Sequence, residues 1–248
     1  MSARKASISR TPVRQPAPRK MKDLVFLFDV DNTLLDNDRL QNDLFRHIGR
    51  EFGKEARERY LAIFEDLRDK LGYADYLGAL QGYRQEKLRD PRFLHVANWL
   101  IEYPFAARLY PDALEVLKHA KRWGKVAILS DGDAVFQPRK VERSGLWKAV
   151  GGNVLIFIHK ERELECVESL YPARHYVMVD DKLRLLEAIK DVWKDRVTTV
   201  FVRQGHYARD KKAIAKYRPA DISIRRIADL LDIELRSWVP AKPPEEAT

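Results

Sequence analysis

Two carboxylates, Asp29 and Asp31, stand two residues apart directly after an unbroken apolar run, Leu24-Val25-Phe26-Leu27-Phe28. Extended backbone sends residues i and i+2 to the same side, so the pair points one way wherever strand conformation persists. Three other apolar runs also end on polar groups. Lys125–Leu129 ends on Ser130-Asp131-Gly132, Asn153–Ile158 on His159-Lys160, and Tyr176–Val179 on Asp180-Asp181. Clustered carboxylates repel one another unless a cation sits among them. Oxygen-only ligation by three or four carboxylates, without paired His or Cys, suits Mg²⁺. Aspartate is also a competent nucleophile toward phosphorus, giving an acyl phosphate, and Asp29 suits that role. Like charge opposes its attack on a phosphate dianion, and a cation together with Lys160 offsets that repulsion. Asp31 suits proton transfer to the leaving alcohol and from the attacking water. Ser130, with the backbone N–H groups of Asp131 and Gly132, suits binding of the phosphate oxygens.

Such a set must be gathered from distant segments, and the hydropathy pattern says how. The apolar runs read as strands buried on both faces, as in a parallel sheet. Val197–Val202 and a short Ile222–Ile224 extend the series. Helical spacing lies between them: Ala113, Leu117 and Ala120 after Pro111-Asp112, a segment running to Gly145, another over roughly 161–170, then Leu183, Leu186, Ile189 and Trp193, and a last one over Ile227–Leu235. Alternating strands and helices predict an α/β fold, a doubly wound parallel sheet with helices on both faces. All carboxyl ends of such a sheet share one edge, where ligands bind. Between residues 37 and 106 the pattern is helical throughout, with Leu40, Leu44, Ile48 and Phe52, and later Tyr60, Phe64, Leu67 and Leu71, at helical spacing. The expected division is a core of 23–36 and 107–238, an all-helical insertion over 37–106, a basic disordered tail at 1–22 and a loose end at 239–248.

Composition fits a soluble globular chain: 45% hydrophobic and 33% charged over 248 residues. No apolar run approaches the roughly 20 residues of a membrane span, so no membrane partner is expected. The one cysteine, Cys166, excludes an intrachain disulfide framework and points to a reducing cytoplasm. The net charge of +9 looks like a nucleic-acid signal until it is located. Arg4, Lys5, Arg10, Arg14, Arg19, Lys20 and Lys22 fall in the first 22 residues, which hold no Asp or Glu. Most of the excess therefore sits in the tail, and any contact with nucleic acid is expected to be weak and confined to it. No feature speaks to the oligomeric state.

The order of these motifs resembles the haloacid dehalogenase (HAD) superfamily over about residues 23–235. FDVDNTLLD is similar to its first motif, with Asn32 where many members have Gly; ILSDGD is similar to the second, and VMVDDK to the fourth. Lys160 matches the third by its place ahead of the fourth strand. The resemblance implies a phosphatase whose Asp29 is nucleophile and metal ligand and whose Asp31 is acid/base, with its main-chain carbonyl on Mg²⁺. Asp181, with Asp180, completes the metal site. The helical insertion resembles a C1-type cap. Many relatives carry a further Asp four residues after the motif-four Asp; here that place is Leu185. Members resembling the 2-haloacid dehalogenases lack the second Asp of the first motif and need no metal, so Asp31 favours phosphoryl chemistry.

The expectation is thus a Mg²⁺-dependent phosphatase of a small phosphorylated metabolite. Its rivals are a phosphotransferase or mutase, a 2-haloacid dehalogenase, and a non-catalytic binding module. Lys140 and Lys182 compete with Lys160; Lys140 is set aside as lying inside a helix, away from a strand tip. Ser130 is weighed against a helix cap, and Asp180-Asp181 is expected to cap the following helix in part. Cys166 reads as an idle thiol, and the stripe Tyr60, Phe64, Tyr76, Tyr83 as the core of the insertion.

Overall fold

The computed structural model describes residues 21–87 and 89–238. The expected N-terminal tail up to residue 20 and the C-terminal end from 239 lie outside the described residues. Lys22, assigned to the tail from its charge, instead opens the first strand, β1 (Lys22–Phe28), where its N–H donates to the Pro172 carbonyl.

Five more strands follow: β2 (Lys125–Asp131), β3 (Val154–Phe157), β4 (Ala173–Asp180), β5 (Val197–Val202) and β6 (Ile222–Ile224). All pair in parallel, in the order β3-β2-β1-β4-β5-β6. The chain leaves β1 toward β2 on one side and returns to β4 on the other. The crevice between β1 and β4 is therefore the topological switch point, where open α/β sheets bind ligands.

The apolar run of β1 explains its central place. Leu24, Phe26 and Phe28 join the core on one face, while Val25 and Leu27 join the core on the other. A strand with period-2 side chains and no polar interruption has no face to give to water. The register sets Phe28 beside Ile128 of β2 and Val179 of β4. The residues just past these positions, Asp29, Ser130 and Asp180, consequently emerge at one edge.

Four helices follow β1: α1 (Asn37–Phe52), α2 (Lys54–Leu71), α3 (Tyr76–Glu86) and α4 (Arg92–Ile101). Asp36 starts α1 by accepting from the Arg39 N–H at 2.9 Å, and Asp75 starts α3 by accepting from the Gly78 N–H at 2.7 Å. Tyr60, Phe64, Tyr76 and Tyr83 are buried together and continue the first core of the sheet without a break. Phe64 stacks on Tyr76 with ring centroids 5.0 Å apart. The helices α5 (Ala113–Ala120), α6 (Phe136–Arg143) and α7 (Leu146–Ala149) contribute to that same core. On the opposite face lie α8 (Leu164–Leu170) and α9 (Leu183–Trp193). A single turn, α10 (Lys211–Ile214), precedes β6.

Two expected helices come out shorter. The segment to Gly145 becomes α6 alone, Phe136–Arg143; Gly145, at φ 85°, breaks the helical path, and α7 begins beyond it. The expected last helix becomes two 3-10 turns, Ile227–Leu231 and Leu235–Trp238. Asp229 accepts from the N–H groups of both Arg225 and Arg226 and tightens the first of them. Among the described residues no helix is long and apolar enough to cross a membrane.

Candidate active site

The turn after β1 is shaped by Asn32. It takes φ 61°, a left-handed conformation that Asn tolerates better than most residues. This accounts for Asn where relatives place Gly. Its side-chain oxygen accepts from the N–H groups of Asn37 and Asp38, each at 3.1 Å, which fixes the start of α1 against the strand tip. Gly205, in the loop after β5, packs on the same residue: a Cβ there would lie 2.5 Å from that of Asn32.

Asp29, Asp180 and Asp181 are all buried, and an oxygen of each lies within 4.8 Å of the others. Their charges are answered by Lys160, which is 1% exposed. Its Nζ stands 2.6 Å from Asp29 Oδ1 and 2.6 Å from Asp180 Oδ2, and it donates to the Leu129 carbonyl at 3.2 Å. The Asp180 contact is close but poorly aligned for a hydrogen bond. Lys160 belongs to a 3-10 turn after β3, held by its own N–H donating to Asp131 Oδ1 at 2.8 Å. Burial by itself would strip the proton from Lys160, but Asp180 and Asp29 outweigh it and raise its pKa.

The two acids of β4 differ. Asp180 Oδ1 accepts from the Lys182 N–H at 2.8 Å, and Oδ2 faces Lys160. Neither oxygen of Asp181 has a hydrogen-bond partner among the described residues, although both are buried. Burial pushes the Asp180 carboxyl up to about 6, with Asp29 adding to it and Lys160 opposing. Burial likewise raises Asp181, against the pull of Lys182. A buried carboxylate with both oxygens unpartnered is costly unless a cation completes it. The donor set fits a hard divalent cation: three carboxylates, no sulfur and no imidazole. The expected helix-capping role is not seen, because Lys182 precedes α9 and no side chain caps it.

Asp31 lies outside the acid cluster. Its carboxylate is gripped by Lys140, with Nζ at 2.6 Å from Oδ1 and 2.9 Å from Oδ2. Lys140 was set aside as remote from the strand tips, and the structure corrects this. The side chain is 1% exposed, on the inner face of α6 with Phe136, Gln137 and Val141, and is long enough to reach back to the β1 tip. A lysine four residues after Phe136, on the apolar face of its helix, was the available signal.

Ser130 Oγ accepts from the Gln137 side chain at 3.0 Å. Asp131 is held against the Lys160 backbone, and burial raises its pKa. Gly132 is not brought to the cavity wall; its N–H is already donated to the Phe157 carbonyl at 2.9 Å. Asp29, Asp31, Ser130 and Asp131 open instead onto a cavity of about 50 Å³. Gln41, Phe64, Arg68, Tyr73 and Tyr76 of the helical insertion, with Lys182, His206 and Tyr207, complete its walls. A second, more apolar cavity of about 250 Å³ adjoins it through Gly72, Lys182 and Tyr207. Cys166 is half-buried on α8, outside both.

The sequence profile of the haloacid dehalogenase-like hydrolases matches residues 24–192, the span that carries this constellation. The chain belongs to that family. A HAD-like hydrolase from Burkholderia xenovorans LB400 is 60% identical; the match covers 86% of this chain and 99% of that one, with a TM-score of 0.82. More distant HAD folds include a phosphatase from Thermococcus onnurineus, 23% identical over 84% of this chain and 96% of that one, TM-score 0.60. They also include the L-2-haloacid dehalogenase of Xanthobacter autotrophicus, 18% identical over 83% and 96%, TM-score 0.55. No curated protein matches the chain. Both HAD chemistries thus occur among its structural neighbours, and the chain itself is a HAD hydrolase with a buried acid cluster able to hold a cation.

Proposed function

We propose that this HAD hydrolase is a Mg²⁺-dependent phosphatase acting on a small phosphorylated metabolite. The observation that carries the proposal is Asp181, a buried carboxylate with both oxygens unpartnered beside Asp29 and Asp180. Phosphoryl transfer makes use of a cation at such a cluster, because the attacking carboxylate and the phosphate oxygens are both negative. The presence of Asp31, two residues after Asp29, agrees with the same reading.

Asp29 and Asp181 would hold the ion directly, with the Asp31 main-chain carbonyl. Asp180 is committed to the Lys182 N–H and to Lys160, and so supports from behind. The bound ion supplies charge neutralisation for the phosphoryl oxygens. Asp29 attacks phosphorus, the bond to the leaving oxygen breaks, and Asp31 gives that oxygen a proton. Asp31 then takes a proton from water as it attacks the aspartyl-phosphate, releasing inorganic phosphate and freeing Asp29. Lys160 and Ser130 hold the phosphoryl oxygens.

The helices over 37–106 serve as a cap on the core of 23–36 and 107–238. A cavity of about 50 Å³ has room for one or two waters, so substrate entry requires those helices to move away from the strand tips. Reclosure then shields the first half-reaction from water.

A panel of phosphorylated metabolites, incubated with Mg²⁺ and read by phosphate release, tests the proposal. Turnover abolished by EDTA and restored by Mg²⁺ is the expected result. Halide release from 2-chloropropionate with no phosphate release from any ester would replace it with dehalogenation. Phosphate passed to a second alcohol rather than to water would make the protein a phosphotransferase.

A further inference from the structure

Lys140 is a buried cation that the reaction above does not use, and its surroundings give it a task. An ammonium has three N–H donors and no acceptor. All three are engaged: Asp31 Oδ1 at 2.6 Å, Asp31 Oδ2 at 2.9 Å and Asn37 Oδ1 at 3.1 Å. Every hydrogen bond made by the Asp31 carboxylate among the described residues comes from this one side chain. Asn37 is the first residue of α1, and its Nδ2 donates to the Tyr76 hydroxyl at 2.9 Å on α3. Tyr60 of α2 in turn donates to the Tyr76 carbonyl at 3.0 Å. A continuous polar chain therefore runs from Asp31 through Lys140 and Asn37 to Tyr76 of the helical insertion, beside the cavity that Asp31, Asn37 and Tyr76 line.

Burying an ammonium costs several kcal/mol before any pairing. Packing alone gives no reason for a lysine there, since an apolar side chain of that length would fill the same space. We propose that Lys140 is a positioning residue for Asp31, and this rests on the phosphatase reading. It fixes the carboxylate rotamer so that Asp31 reaches the leaving oxygen. It also ties that geometry to Asn37 at the start of the cap. General acid catalysis needs heavy atoms within about 2.6–3.2 Å, and a displacement of 1 Å costs on the order of 10²-fold.

The dependence on leaving group separates this role from a structural one. An alkyl phosphate needs a proton on its departing oxygen, whereas 4-nitrophenyl phosphate releases a stabilised phenolate and needs little help. Lys140→Met keeps length and volume and removes the charge. With Mg²⁺ saturating, kcat/KM for an alkyl phosphate that the wild type turns over should fall about 10²-fold. The ratio of kcat/KM for the nitrophenyl ester to that for the alkyl ester should rise at least tenfold over wild type. A ratio equal to that of wild type overturns the inference, whether both rates fall together or neither falls. Asn37→Ala frees one of the three donors and should shift the ratio the same way by a smaller factor. It decides the question if Lys140→Met does not fold by near-UV circular dichroism. A wild type that releases no phosphate from either ester removes the phosphatase reading, and this inference with it.

Discussion

Lys160 Nζ lies 2.6 Å from Asp29 Oδ1, although 131 residues separate them in the chain. The sheet creates the contact: β1 delivers Asp29 to its carboxyl edge, and the turn after β3 delivers Lys160 to the same edge. Lys160→Ala should lower kcat on the order of 10²–10³-fold, as when one preorganised charge-stabilising donor is lost. It should also destabilise the fold by about 3–5 kcal/mol, because Asp29 and Asp180 lose their buried counter-charge. Steady-state rates and urea unfolding measure the two effects separately. Undiminished turnover would move the role to Lys182.

Asp29→Asn should abolish turnover. Acid-quenched wild type incubated with ³²P-labelled substrate should carry acid-stable, hydroxylamine-labile label, as an acyl phosphate does, and Asp29→Asn should carry none. Label retained in the variant would place the covalent step on another residue.

Asp181 makes an opposite demand on stability and on metal binding. Burial raises its folded-state pKa above the ordinary 3.8. Above the ordinary carboxylate range the unfolded chain ionises more readily than the metal-free folded chain, so this carboxylate weakens the metal-free fold. Asp181→Asn should raise the metal-free Tm by a few degrees. It should also remove the rise in Tm that Mg²⁺ gives the wild type. Scanning calorimetry with and without Mg²⁺ checks both. A persistent Mg²⁺ effect in the variant would show that Asp181 is not a direct ligand.

Phe64 is 1% exposed within the helical insertion, stacked on Tyr76 and edge-on to Phe45. Phe64→Ala should cost about 3–5 kcal/mol, read by chemical unfolding. A loss below 1 kcal/mol would mean the cavity collapses around the missing ring.

His175 is half-buried, and one ring nitrogen lies 2.8 Å from Thr198 Oγ1. Burial, and then the charge of Lys190, hold its pKa below the ordinary 6.5. The unfolded chain therefore takes up the proton first as pH falls. The stability contributed by neutral His175 is complete above about pH 6.5 and is lost progressively below it. His175→Gln should flatten the fall in unfolding free energy between pH 7.5 and 5.5. An unchanged slope would assign the titration to another group, such as His47, whose pKa burial also lowers.

The strands and their order of appearance were legible because a two-sided apolar run leaves few alternatives. The convergence of Asp29, Ser130, Lys160, Asp180 and Asp181 followed, since parallel strands share one carboxyl edge. Lys140 was illegible by that logic. It reaches the edge from the middle of a helix, and the direction of a helical side chain depends on how the helix is rotated against the sheet. Gln137, one turn earlier on that face, was missed for the same reason.

Residue types and spacing by themselves determined the α/β architecture, the helical insertion and an acid cluster at the strand tips, because periodicity and charge are local properties. The pairing of each lysine with its acid was settled by tertiary packing. Lys160 serves Asp29 and Asp180, Lys140 serves Asp31, and the Lys182 N–H occupies Asp180. Asp181 is left with two open oxygens, a difference between adjacent identical residues that arises only when four distant segments compete for the same few ångströms.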